Sequence, residues 1–205
     1  MSGLPGPPWA GHFVIIIVML GSDVSFVVPD PFNRFAGRSL IGLVIVFATY
    51  TLWYVGPGYF GQLIRLESYS TLQSSWFYSG QTAVNRLDVL DAAGRRVKYL
   101  ALIFDVPYMI LQALVFEALI AFGLRRAKPQ NPKWIMLFIL PITFLLVDFA
   151  EDSFLALTLV TGSYGFGAVA GVFTFLKMLT FIMAIIASIS MACWGLWAWR
   201  MSTKV

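Results

Sequence analysis

Charge is scarce in this sequence. Asp, Glu, Lys and Arg make up only 12% of its 205 residues, against roughly 25% in a typical soluble domain. A chain of 22.8 kDa folded in water has more surface than so few charged side chains can cover, which excludes a soluble globular domain. Cysteine is nearly absent. Cys193 stands alone, so an intrachain disulfide, a thiolate cluster and a CxxC redox motif are impossible. His12 is the sole histidine, which excludes a histidine-cluster metal centre, bis-histidine haem ligation and an HExxH site. The chain has no glycine-rich phosphate cradle and no carrier repeat, and a Ser-His-Asp set would need the distant His12. No metal site and no cofactor is assigned; no motif specifies a bound lipid, quinone or pigment.

What is present is apolar: 59% of residues are hydrophobic and mean hydropathy is +0.80. This composition reads as an all-α, polytopic membrane bundle, a single membrane domain over 1–205. Four stretches, 39–57, 99–124, 134–154 and 171–198, are expected to be membrane helices. The first is free of charge, follows Arg34 and Arg38, and ends in Tyr50, Trp53 and Tyr54 before Pro57. Basic residues at one end and aromatic rings at the other suit the two interfaces of a bilayer. An N-terminal apolar segment, 9–28, contains His12 and Asp23 and stops at Pro29-Asp30-Pro31. It is long enough for a fifth span, with an interfacial or re-entrant course as the rival. Residues 1–11 carry no basic side chain ahead of it, unlike a cleaved signal. The glycine-rich run 161–167 is expected to be the last turn.

The net charge of +4 would suggest nucleic acid in a soluble chain. Here no basic stretch is interleaved with exposed aromatics, so no nucleic-acid partner is expected. The positive charges instead gather in loops. Arg125, Arg126, Lys128 and Lys133 lie in loop 124–133, Arg34 and Arg38 precede the first secure span, and Arg200 and Lys204 follow the last. Four spans put all three groups on one side, which the positive-inside rule makes cytoplasmic. A plasma or bacterial inner membrane fits. The opposite side receives the 58–98 connection, expected to be a non-cytoplasmic amphipathic cap with a short helix over 87–96 stopped at Gly94. Trp76, Arg95 and Arg96 are its candidate contacts.

Charged groups inside spans are costly and need a partner, water or a function. At 1.5 Å per residue, Asp105 lies roughly 26 Å from Phe122, Asp148 and Asp152 roughly 21 and 27 Å from Trp134, and Lys177 roughly 30 Å from Trp197. All therefore reach similar depths in the outer third of the membrane. Asp148, Glu151 and Asp152 share a helix face through their spacing. One network of carboxylates balanced by Lys177 is expected, with Arg95 or Arg96 entering from the cap. Its structural reading is an ion network that fixes helix order. Its functional reading is a site for a cation, a proton or a polar headgroup; oxygen ligands suit a hard cation, although the spacing is unlike an EF-hand. Gln112 and Glu117 are the inner polar positions, and Glu117 is expected to bond a neighbouring helix. Gly167 and Gly171, four apart, suit close helix packing.

Two pieces carry a family likeness. GRRVKYLALIFDVPYMILQAL (94–114) and LPITFLLVDFAEDS (140–153) resemble the GR…Y…D…P…Y and P…D…E patterns of small, poorly characterised four-helix integral membrane proteins. That pattern continues Glu-Asn where this chain has Glu151-Asp152. The resemblance implies a four-helix bundle with an outward connection between the first two helices, and no activity. The function expected is therefore non-enzymatic: an accessory or assembly subunit in contact with membrane lipids and other membrane protein subunits. The alternatives are a membrane enzyme acting on a lipid through Asp105, Asp148 and Glu151, and a small cation or proton carrier.

Overall fold

The computed structural model describes residues 38–67, 71–129 and 131–202. The apolar segment 9–28, with His12 and Asp23, lies outside them. Among the described residues every regular element is helical: α1 (Arg38–Val55), α2 (Tyr59–Leu66), a 3-10 turn (Leu72–Ser74), α3 (Gly80–Asp88), α4 (Ala92–Ala127), a 3-10 stretch (Pro132–Phe138), α5 (Ile139–Thr161) and α6 (Tyr164–Ser202). Four segments are long and apolar enough to cross a membrane: Ser39–Leu66, Ala92–Ala127, Lys133–Thr161 and Tyr164–Ser202.

Several boundaries differ from the sequence reading, and two have a clear local reason. No helix over 87–96 stops at Gly94. Instead α3 ends at Asp88, and the Asp91 carboxylate accepts the Gly94 N–H at 2.7 Å. An aspartate cap satisfies one of the free donors of a first turn, so Gly94 begins a helix rather than ending one. That helix, α4, runs for 36 residues through Pro107 to a left-handed Lys128, whose N–H returns to the Leu124 carbonyl. The 161–167 turn is also shorter than expected: only Gly162 and Ser163 lie outside helix. Gly162 closes α5 with φ 65°, ψ 17°, a conformation that costs glycine nothing. Gly167 and Gly171 are helical, and a Cβ on Gly171 would strike the Tyr78 carbonyl oxygen. Their small size serves close packing, and the last helix starts at Tyr164 rather than near residue 171.

The tight Gly162-Ser163 link makes α5 and α6 an antiparallel pair, and α4 packs on both. Helix α1 rests on α4 and α2, while α3 lies against α6 and α5. The apolar interior falls into three levels. Leu72, Tyr78, Leu87, Leu102, Leu155 and Ala170 fill the level beside α3. Phe116, Phe144 and Ala184 fill the middle. Ile120, Leu124, Phe138 and Met191 fill the far end. Leu72 and Leu87 are fully enclosed, and burial of such a side chain from water contributes about 1.5–3 kcal/mol. That holds the 71–88 segment on the bundle. Between the first two levels, α4, α5 and α6 each carry charge.

Candidate functional site

The site grows from the helix repeat. Asp148, Glu151 and Asp152 lie within one turn and a half of α5, so all three point from one face; all are buried. On the antiparallel neighbour, Lys177 stands at the same level, with Thr174 one turn away. The Lys177 ammonium lies 3.2 Å from Asp148 Oδ1 and also contacts Glu151 Oε2. The Thr174 hydroxyl is 2.8 Å from Glu151 Oε1 and 3.0 Å from the Ala170 carbonyl. Taking a charge out of water costs several kcal/mol, and these contacts offset part of it.

Asp105 enters from α4. Oxygens of Asp105, Asp148 and Asp152 lie within 4.8 Å of one another. Helix α1 fixes the backbone beneath Asp105: the Tyr54 hydroxyl donates to the Ala101 carbonyl at 3.1 Å and the Tyr50 hydroxyl to the Phe104 carbonyl at 2.7 Å.

Above the carboxylates sits Gln73, in the 3-10 turn capped by Thr71. Its amide nitrogen donates to Asp152 Oδ1 at 3.0 Å and to Asp105 Oδ2 at 3.4 Å. Its carbonyl oxygen accepts from the Lys98 ammonium at 3.3 Å, and Lys98 pairs with Glu67 at 3.5 Å. A continuous polar chain therefore runs Glu67–Lys98–Gln73–Asp152/Asp105. Tyr78 closes the side near Glu151. Its hydroxyl is buried, close to Thr174 as well as Glu151. Burial, with the Glu151 charge second, raises the phenol above its ordinary range.

The sequence-based candidates divide accordingly. Asp105, Asp148, Glu151, Asp152 and Lys177 come together. Arg95 and Arg96 do not enter: Arg95 pairs with Asp88 at 3.0 Å near the surface, and Arg96 is exposed. The network's second cation is Lys98, fully buried. Its signal was present in the sequence, since Lys98 stands seven residues before Asp105 and two turns put both on one face. Trp76 is 62% exposed, and no hydrogen bond or ring contact joins it to the network among the described residues. Gln112 is buried on the Asp105 face one level further along, and Glu117 lies roughly 18 Å beyond Asp105 along the axis. No hydrogen bond from Glu117 to a neighbouring helix is found among the described residues. Gln73 and Glu67 had no sequence signal, because only the fold brings their loop over α4.

Comparison of the chain with protein families, curated proteins and solved structures found no match. Function therefore rests on geometry.

Proposed function

We propose that the chain is a multi-pass integral membrane protein without catalytic chemistry of its own, an accessory or assembly subunit that contacts lipid and other membrane proteins. The observation that carries this reading is the inversion of polarity across the bundle. Charged groups are enclosed, while Ile41, Ile45, Leu52, Leu146, Ile186 and Ile189 face outward. Water would penalise that arrangement and a bilayer rewards it. Only 6% of the α1 span is buried, so one whole helix offers an apolar flank to lipid or to a partner helix.

The basic end supports the cytoplasmic assignment of loop 124–133. The Arg126 guanidinium stacks between the Phe122 and Trp199 rings, 5.3 and 5.1 Å from their centroids, next to Arg200. Positive charge from α4 and α6 is thus gathered at one end, as the positive-inside rule asks of a plasma or bacterial inner membrane. Residues 58–98 then form a non-cytoplasmic cap. The lipid-enzyme alternative has less support, because Lys177 engages Asp148 and Glu151, and Gln73 engages Asp105. A general acid or base needs to be reachable by its substrate.

Native purification in mild detergent, with proteins and lipids identified together, tests this. A partner held in fixed stoichiometry by both wild type and Asp148→Asn is the expected result. A solitary protein that turns over a lipid and loses that activity in Asp148→Asn would overturn it.

A further inference from the structure

One end of the bundle is basic and carries no acid. Arg125, Arg126, Lys128, Lys133 and Arg200 lie where α4 ends, the 3-10 stretch begins and α6 ends. No Asp or Glu stands between Glu117 and Asp148 or after Asp152, and Glu117 is roughly 13 Å from Arg126 along the helix axis.

Within this end Arg126 is held in place by two helices. Its guanidinium stacks on Phe122 of its own helix and on Trp199 of α6. Its stem passes over Gly195, where an added Cβ would lie 3.3 Å from the Arg126 Cβ. The close approach of Gly123 and Gly195 therefore sets the distance between the two rings. Stacking engages the faces of a guanidinium and leaves the N–H fork in its plane to an acceptor. No ion pair among the described residues includes Arg126, although it is exposed. A long side chain has thus already given up its rotamer freedom without a carboxylate to bind, and an acceptor arriving there meets a pre-organised donor. The aromatic belt fixes the depth. The Trp134 and Trp194 rings meet at 5.2 Å, which brings Lys133 to the same end, and Trp197 and Trp199 are both exposed. Indoles settle at the level of lipid headgroups.

We propose that the Arg126 end of the α4–α6 pair binds one anionic phospholipid, with the headgroup phosphate in the Arg126 fork and the acyl chains along the outward flank of Ile189 and Leu196. A planar fork matches two phosphate oxygens at once, and such charge-assisted pairs are the strong ones. Lys128 and Lys133 add positive charge around it. Ile189 and Leu196, seven apart, share one outward face of α6. That face leads from the bilayer interior towards Trp199, as a lipid tail does towards its headgroup. A phospholipid fits this place better than an acidic protein segment, because the site joins an apolar flank to a phosphate-binding fork at headgroup depth. The inference rests on the membrane reading of the chain and is independent of the accessory role.

The test uses the full chain, delipidated in mild detergent and titrated with phosphatidylglycerol, phosphatidylcholine or inorganic phosphate. Native mass spectrometry counts retained lipid, and thermal unfolding gives affinity. The expected result is one phosphatidylglycerol per chain and a saturable rise in Tm that phosphatidylcholine and inorganic phosphate do not reproduce. Arg126→Lys keeps the charge but loses the fork and the stacking, and should weaken binding about tenfold. Lys128→Gln removes a charge and should cost less than Arg126→Lys. Diffuse attraction to a basic surface predicts the reverse order, and that order would overturn the site. Trp199→Leu keeps every charge and should weaken binding severalfold, which keeps the proposal testable if an Arg126 variant fails to fold. Inorganic phosphate binding as well as the lipid, or an acidic protein retained in its place, would overturn the lipid assignment. A chain that needs detergent yet holds no anionic lipid overturns this inference alone. A chain that stays monodisperse in water without detergent overturns the membrane reading and the inference with it.

Discussion

The Gln73 amide lies 3.0 Å from Asp152 Oδ1, a hydrogen bond across 79 residues that ties the segment over the bundle to the middle of α5. The same amide reaches Asp105 on α4 and accepts from Lys98. One neutral side chain therefore connects two helices and two signs of charge. Gln73→Leu leaves Lys98 and two aspartates short of a partner, so stability in detergent should fall by about 1–3 kcal/mol. Gln73→Glu adds a carboxylate between Asp105 and Asp152 and should cost more than Gln73→Leu. The reverse ranking in thermal unfolding would mean the amide is a bystander.

Lys177 is the only cation touching Asp148 and Glu151 among the described residues. Lys177→Met leaves those charges uncompensated and should cost about 3–5 kcal/mol. Lys177→Met combined with Glu151→Gln should recover a large part of the loss. A double-mutant cycle with additive losses would make the two groups independent.

Helices α4 and α6 meet at paired glycines. A Cβ on Gly195 would come within 2.8 Å of the Gly123 Cα, so Gly195→Val should destabilise by about 1–3 kcal/mol through overpacking. Gly42, in α1, has nothing within 4 Å. Gly42→Ala should be neutral or stabilise by up to about 1 kcal/mol, because alanine is the better helix former. Equal effects at the two sites, read by thermal unfolding, would count against the close α4–α6 approach.

The proposed topology rests on the positive charge at the Arg126–Trp199 end. Reporter fusions should find residue 130 on the cytoplasmic side and residues 60 and 160 opposite. Residues 130 and 160 on one side would remove the four-span arrangement.

Leu72, Tyr78, Ala83 and Leu87 are buried against α5 and α6. Amides of α3 should accordingly exchange slowly with deuterium in nanodiscs, because opening this segment exposes apolar surface. Exchange there as fast as in a free peptide would deny residues 71–88 any role as an ordered cover.

Which parts were legible in advance follows from the helix itself. A rise of 1.5 Å per residue turns separation along the chain into depth, so the sequence alone matches Asp105, Asp148, Asp152 and Lys177 in level. The 3.6-residue repeat likewise put Asp148, Glu151 and Asp152 on one face. The expectation of a stop at Gly94 fails for the opposite reason. Glycine disfavours a helix interior but is tolerated in a first turn, and only the Asp91 cap distinguishes the two. Gly167 belongs both to the run expected to turn and to a small-residue packing pair with Gly171; its close approach to Gly80 decides for packing.

Composition and periodicity alone determined that this chain is helical, that four segments are long and apolar enough to cross a membrane, and that a few charges lie buried at one level. Those properties are local, set by side-chain polarity and the backbone repeat. The tertiary structure alone decided which groups meet: Lys98 rather than Arg95 or Arg96, Gln73 between two aspartates, and Tyr78 beside Glu151. Contact across helices depends on their rotation and sideways packing, and on where a loop comes to rest. Many distant residues set those together, and no short stretch of sequence encodes them.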